Sequence, residues 1–421
     1  MKFQLSLFLL VALHLSPNPR TFSQPQSQPR PVVRTGIDVL IEHNFSILKG
    51  KRIGLITNPS GVSNTLQSTA DIFARAKEFK LVALFGPEHG VRGDVAAGRL
   101  MESSLDSATG VPVFSLYGKT TKPTRDMLKG IDVLVYDIQD IGLRSYTYIN
   151  TLAGAMEAAA ENDVEFIVLD RPDPLTGNRI EGCVLDPKFK SYVGMFPIPY
   201  IYGMTCGELA ALLIGEGWLA GGRKCRLTVV NMEGWKRSMW WDETGLQWIP
   251  TSPHIPTSET VMYCAMTGII GELGSVSVGV GYTLPFKVVS APWINADELA
   301  NTLNAQKLPG VHFRPVHFTP FYATMQGKEC HGVQIHVTDR EKITPVNDEL
   351  YILEALGHLY PTRNVFDLSE QSRVAMFDKV TGTDDVRLAL RKKIPAGTII
   401  TGWRKNIDEF LAVRKKYLRY E

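Results

Sequence analysis

Glu88 and His89 are the residues best placed for chemistry. They are delivered by LVALFGPEHGVRGD (residues 81–94), an apolar run that stops at Gly86-Pro87 and opens into a glycine-rich loop. Proline lacks a ladder donor and biases its predecessor away from helix, so a strand ends there. Glu88 thereby sits at the carboxyl end of a parallel strand, where open α/β sheets hold their ligands. A carboxyl group flanked by Pro87 and an apolar strand is partly desolvated, the setting a general acid needs, and His89 reads as its orienting neighbour. The same event recurs along the chain. RIGLITNPSG ends at Asn58, VPVFSLYG at Tyr117, DVLVYDIQDIG at Asp137, Gln139 and Asp140, and EFIVLDRPDPLTGN at Asp170, Arg171 and Asp173. Helix caps account for Ser, Thr, Asp or Asn at such places, but not for Glu88, Gln139, Arg144 and Arg171 together. Asp137, Asp140 and Asp170 are candidates for a second catalytic carboxylate, and spacing does not rank them. In GLRSYTYIN, alternation puts Arg144, Tyr146 and Tyr148 on one face of an extended segment, able to clamp a carboxylate and stack on a pyranose; a salt-bridged arginine beside packed tyrosines is the structural alternative. Arg171 and Asn178, in the turn-rich DRPDPLTGN, read as substrate contacts. Glu272 and Tyr282, in GELGSVSVGVGYTLPF, would close the cleft from the far side.

These side chains need a rigid carrier. The apolar runs are short and β-branched, and amphipathic helical stretches at 68–79 and 151–162 separate them. That alternation predicts an α/β fold, a Rossmann-like doubly wound parallel sheet, over residues 35–290. A segment with four tryptophans then falls between Trp235 and Pro256. It is either a loop packed on the sheet or an aromatic wall for a flat ligand. From Ala291 the pattern changes to a helix at 296–305, strands near 311–318 and 332–338, and helices at 347–359, 383–392 and 404–418, which predicts a second, smaller α+β domain over 291–421.

With 421 residues, 44% hydrophobic and 21% charged, the chain has room for two cores. A formal net charge of +2 leaves no footprint for nucleic acid. The opening MKFQLSLFLLVALHLS has one lysine, an apolar run too short to span a bilayer, then small and polar residues. It predicts a cleaved signal peptide over 1–23 and an extended tether over 24–34, hence a secreted or periplasmic protein without an integral membrane segment after removal of the signal. Cys183, Cys206, Cys225, Cys264 and Cys330 form no C-x-x-C pair and have apolar neighbours, which favours small buried side chains over a metal site. Oligomeric state stays open.

No G-x-S-x-G, H-E-x-x-H, P-loop or post-strand G-x-G-x-x-G occurs, so serine hydrolases, zinc proteases, kinases and dehydrogenases lose their local signatures. A site of carboxylates with amides, arginines and tyrosines suits glycoside hydrolysis. One acid protonates the leaving oxygen, and a second group or the substrate itself meets the anomeric carbon. No metal or other cofactor is expected. Two other classes would use the same residues: a non-catalytic cell-wall sugar-binding protein, and a metal-dependent ester hydrolase with Glu88, Asp137, Asp140 and Asp170 as oxygen ligands.

GLITNPSGV (54–62), LFGPEHGVRGDVAAG (84–98), SLYG (115–118), DVLVYDIQDIGLRSYTYINTL (132–152), VLDRPDPLTGNRIEG (168–182) and PIPYIYGMTCGELA (197–210) resemble the exo-β-N-acetylmuramidases, which remove N-acetylmuramic acid from non-reducing ends of peptidoglycan fragments. The resemblance runs through nearly all of the chain that follows the tether. It implies a Rossmann-like domain and a smaller auxiliary domain with a cleft between them, a catalytic glutamate at Glu88, and peptidoglycan-derived saccharides as substrates. Where that family often has a glycine-arginine-glycine-threonine run, this chain has Gly279-Val280-Gly281-Tyr282 and no guanidinium. Arg144 or Arg171 is then expected to meet the lactyl carboxylate.

Overall fold

The computed structural model describes residues 32–93 and 104–421. The expected signal peptide and residues 24–31 of the expected tether lie outside the described residues. The chain runs α1 (Gly36–Glu42), β1 (Arg52–Thr57), α2 (Thr69–Arg75), β2 (Lys80–Gly86), β3 (Ser104–Leu105), β4 (Pro112–Ser115), β5 (Val133–Asp137), α3 (Tyr148–Glu161), β6 (Glu165–Leu169), α4 (Cys206–Gly215) and β7 (Leu227–Val230). It continues through α5 (Ser258–Gly271), β8 (Val288–Ala291), α6 (Ala296–Ala305), β9 (Val311–Phe318), β10 (Cys330–Val337), α7 (Pro345–Leu359), α8 (Gln371–Thr381), α9 (Asp385–Arg391), α10 (Ala396–Gly402) and α11 (Arg404–Arg414).

The first sheet has the order β3-β4-β2-β1-β5-β6-β7, parallel except for β3 at its edge. Its inner strands are apolar on both faces because helices cover both. Ile53, Leu55, Val133 and Val135 join the core with Ile37 of α1 and Phe73 of α2. Ile56, Leu134, Tyr136 and Phe166 point the other way, toward Leu152 of α3 and Leu209 of α4. The chain builds outward from β1 through β2 to β4, then returns to lay β5, β6 and β7 on the opposite side of β1. The order therefore reverses between β1 and β5, and ligands of such sheets bind outside the carboxyl ends at that point. Asn58, Glu88, Asp137 and Asp170 follow β1, β2, β5 and β6 on this edge.

The second sheet is antiparallel, ordered β8-β10-β9. Val289, Val333 and Ile335 pack with Ile269 of α5, Leu299 of α6, Leu353 of α7 and Phe377 of α8. Helix α5 thus belongs to the second core although it precedes residue 290. Its apolar face has helical period, and period does not say which sheet a helix will cover. At the far end α11 returns to the first core, where Phe410 is buried and Val413 packs. At the start, Val33 is fully buried and packs with Met232 and Trp235, while Arg34 pairs its backbone with Glu233, so these two residues belong to the fold and not to a tether.

The last residues of the chain are tied to the carboxyl end of β6. The Tyr420 hydroxyl donates to Asp170 at 2.6 Å, the Arg419 amide to Glu208 at 2.8 Å, and the Arg237 amide to the Glu421 carbonyl at 2.7 Å. Asp170 also accepts from the Thr205 hydroxyl at 2.7 Å and from the Gly207 amide at 2.9 Å, at the start of α4. A Cβ at residue 207 would stand 2.8 Å from the Asp170 carboxylate, so only glycine lets the helix come this close. Burial outweighs these donors and pushes the Asp170 carboxyl up to about 6. A carboxyl raised above its ordinary 3.8 contributes stability that is complete below that value and is lost as pH rises through about 6. Asp170→Asn does not titrate, so the stability advantage of the wild type over this variant is expected to shrink from pH 4 to pH 6. Denaturant unfolding of both proteins across that range measures it, and an advantage that grows with pH contradicts the assignment.

Candidate active site

Glu88 is placed by the abrupt end of β2. His89 has φ +72° and Gly90 φ +76°, and the Gly90 amide closes the turn onto the Pro87 carbonyl at 3.0 Å. A left-handed histidine is sparsely populated backbone, held here by the turn around it. Strand β4 pairs with β2 so that Ser115 stands opposite Gly86. Two residues on, the Tyr117 hydroxyl comes within electrostatic reach of the half-buried Glu88 carboxylate. Burial and the neighbouring Glu88 charge push Tyr117 up to about 12, so it remains a donor. Tyr192 packs 6.5 Å from the Tyr117 ring, and burial with the same Glu88 charge raises its pKa too.

Tyr148, the first residue of α3, forms the other wall. Its hydroxyl donates to the Thr251 carbonyl at 2.5 Å and lies against the Asn58 side chain; burial first, and then the charges of Glu88 and Asp140, raise its pKa. Tyr146 stands edge-on to Tyr148 at 4.8 Å and donates to the Thr251 hydroxyl at 2.7 Å. The Asn58 Oδ1 accepts from the Ser60 amide and hydroxyl, while its buried Nδ2 meets no protein acceptor in hydrogen-bond geometry. Thr251 and His254 belong to one segment across the mouth. Burial and the nearby His89 lower the pKa of His254, and the Tyr322 ring stacks on His254 at 6.1 Å. Tyr117, Tyr192 and Tyr148 thus feel the Glu88 charge, Asn58 lies against Tyr148, and His254 feels His89.

Several residues expected at the site hold the scaffold instead. Asp137 is fully buried and accepts from Arg171 at 2.6 and 2.9 Å and from the Thr69 hydroxyl at 2.5 Å. Arg171 also donates to the Val62 carbonyl at 2.8 Å. Asp170 holds the C-terminal residues. Both oxygens of each aspartate are engaged by these protein donors. Asp140 accepts from the Gly142 amide at 2.8 Å and the Tyr202 hydroxyl at 2.5 Å, keeps Oδ1 without a protein donor, and is pushed up to about 6 by burial. The Gln139 amide spans the Asp140 and Pro172 carbonyls, both at 2.7 Å.

Arg144 is also a scaffold residue. It is fully buried, and its guanidinium donates to the carbonyls of Cys183, Ile198, Val380 and Thr381 at 2.5–3.0 Å. The segment is a turn leading into α3, not an extended strand, so Arg144 and the tyrosine pair diverge. Arg144 is therefore not available to a lactyl carboxylate. Asn178 is exposed in its turn, and Glu272 caps the end of α5 beside Arg373. Tyr282 stacks on Phe318 at 4.5 Å in a small cluster of the second sheet. The tryptophans are packed: Trp235, Trp240 and Trp241 are buried, with Trp240 held between Arg179 and Arg340.

Tyr192, Thr251 and His254 were not among the expected site residues, and Tyr117 was expected only as a strand end on this edge, with no role at the site. Tyr117 could have been found by carrying the β2–β4 register two residues past the strand ends. The other three lie in irregular segments with no periodic signal. Among the described residues, no group of three or more His, Cys, Asp or Glu is placed to hold a metal ion, and no helix is long and apolar enough to cross a membrane.

Comparisons with known proteins cover nearly the whole chain. The family models described as exo-beta-N-acetylmuramidase NamZ, N-terminal and C-terminal, match residues 53–259 and 262–420. The peptidoglycan beta-N-acetylmuramidase NamZ of Bacillus subtilis (strain 168) is 48% identical over 398 residues, spanning 94% of each chain. A crystal structure of a DUF1343 family protein from Bacteroides fragilis NCTC 9343 superimposes with a TM-score of 0.89 at 51% identity, over 93% of this chain and 100% of that one. A second protein of that description from the same organism gives 0.76 at 32% identity, over 92% and 99%.

The role of Arg144 separates clamp from scaffold. Arg144→Ala would orphan four buried carbonyls and is expected to lower unfolding free energy by at least about 3 kcal/mol. Equilibrium unfolding in urea measures this. Unchanged stability with a raised KM would restore the arginine as a substrate clamp.

Proposed function

The chain belongs to the exo-β-N-acetylmuramidase NamZ family, and from that membership and the Glu88 site we propose that it is a secreted glycoside hydrolase releasing N-acetylmuramic acid from non-reducing ends of peptidoglycan fragments. The observation that carries the catalytic assignment is the half-buried Glu88 at the carboxyl edge of the parallel sheet, with the Tyr117 hydroxyl within its electrostatic reach. Glu88 in its acid form gives its proton to the glycosidic oxygen as the C–O bond breaks, the leaving sugar departs as an alcohol, and a water then adds its hydroxyl to the anomeric carbon and returns a proton to Glu88. Negative charge develops on Glu88 as its proton leaves, and the Tyr117 hydroxyl within reach interacts with that charge more strongly after proton transfer than before.

We place the acetamido group of the sugar on the side of Asn58 and Tyr148, whose side chains lie against each other. With Arg144 held by backbone carbonyls and Arg171 paired with Asp137, the side of His89 and His254 is where a lactyl carboxylate fits. Secretion is supported by the amino-terminal sequence pattern alone. A sugar-binding protein without turnover would have no use for a half-buried Glu88 with a tyrosine hydroxyl in reach. A metal-dependent hydrolase would need Asp137 and Asp170, whose oxygens are taken by Arg171, Thr69, Thr205, Gly207 and Tyr420.

Incubation with a muramyl-β-1,4-glucosaminyl disaccharide tests this. Free N-acetylmuramic acid and N-acetylglucosamine are expected, and Glu88→Gln is expected to lower turnover by about two orders of magnitude without changing the melting temperature. A variant that works near the wild-type rate would remove Glu88 from the mechanism.

A further inference from the structure

Nine large apolar side chains stand exposed among the described residues, and the two aromatic ones are neighbours, Phe321 at 67% and Tyr322 at 50% exposure. Both lie on the β9–β10 connection, and the backbone fixes where they point. The Phe321 amide donates to the Gly281 carbonyl at 2.8 Å, and the Gly327 amide closes the loop onto the Pro320 carbonyl at 2.9 Å. Gly281 has φ +95°, and a Cβ there would stand 1.9 Å from the Tyr322 carbonyl, so the two loops interlock at a position only glycine can occupy. Tyr282 backs the arrangement, 4.5 Å from Phe318 and 5.6 Å from Phe321. Tyr322 in turn stacks on His254, whose imidazole is within electrostatic reach of His89.

Two exposed aromatic rings on an interlocked loop, one histidine layer out from the Glu88 turn, form a platform of the kind that sugar faces stack on. Trp235, Trp240 and Trp241, by contrast, are buried and offer no such face. We propose that Phe321 and Tyr322 bind the sugar on the leaving-group side of the scissile bond, the N-acetylglucosamine that follows the released residue. This rests on the muramidase reading of the site. The ring meets the apolar face of that sugar, so the contact requires a pyranose aglycone and is indifferent to the lactyl group of its neighbour.

The experiment compares kcat/KM on the muramyl-glucosaminyl disaccharide with kcat/KM on the methyl β-glycoside of N-acetylmuramic acid, which has no aglycone ring. Phe321→Ala is expected to lower the ratio of the two by about fivefold to tenfold, and Phe321→Trp to preserve it, with melting temperatures near that of the wild type. Tyr322→Ala should move the ratio in the same direction. A ratio within twofold of wild type for Phe321→Ala and Tyr322→Ala overturns the platform. A wild-type protein that hydrolyses neither glycoside overturns the muramidase reading itself, and the two failures are distinguishable.

Discussion

The buried ion pair between Asp137 and Arg171 fixes the edge on which everything else is built. It joins the carboxyl end of β5 to that of β6, and through Thr69 and the Val62 carbonyl it also takes in α2 and the loop after β1. Removing either partner would leave a charge buried without its counterpart, at a cost of about 3–5 kcal/mol. Beside the pair, Ser60 holds Asn58 and accepts from the Gln139 amide at 3.0 Å, while the Gln139 side chain spans the β5 and β6 loops. The switch point is thus rigid before a ligand arrives, which a site that must position a proton within a fraction of an ångström requires.

Polar residues on this edge divide into two groups that use the same chemistry for different ends. Asp137, Asp170, Arg144, Arg171 and Gln139 are buried and hydrogen-bond to protein groups of the scaffold. Glu88, His89 and His254 stay half-buried and open to a sugar, while Asn58 and Tyr148 are as buried as the first group. Asp140 and Asp173 stand behind them, pushed up to about 6 and about 8 by burial. A raised pKa on this edge therefore marks scaffold as well as function, and partners decide which is which.

Much of the first sheet was legible because apolar runs that end at proline or at a cluster of polar residues can only be strands feeding loops. The second domain was legible where its period was clean: strand 311–318 and helix 296–305 coincide with β9 and α6. Strand β8 is four residues in a glycine-punctuated stretch, too short to show a period. Helix α8 was overlooked, although Val374, Phe377 and Val380 have the spacing of a buried face. Arg144 was illegible for a deeper reason. Its partners are backbone carbonyls between 39 and 237 residues away, and no side-chain pattern encodes those. The α5 helix crossed the expected boundary, and α11 returned to the first core, because amphipathic faces state how much they bury and not against what.

The central claim is that the proton for bond cleavage comes from the residue at position 88, on the turn after β2. A crystal structure of Glu88→Gln with the muramyl-glucosaminyl disaccharide tests this most directly. The glycosidic oxygen should lie about 2.6–3.2 Å from the amide nitrogen of residue 88, with the acetamido carbonyl near Asn58. The disaccharide seated instead in the cavity of about 480 Å³ between Trp240, Trp241, Glu259 and Arg340, with no contact to residue 88, would contradict the account.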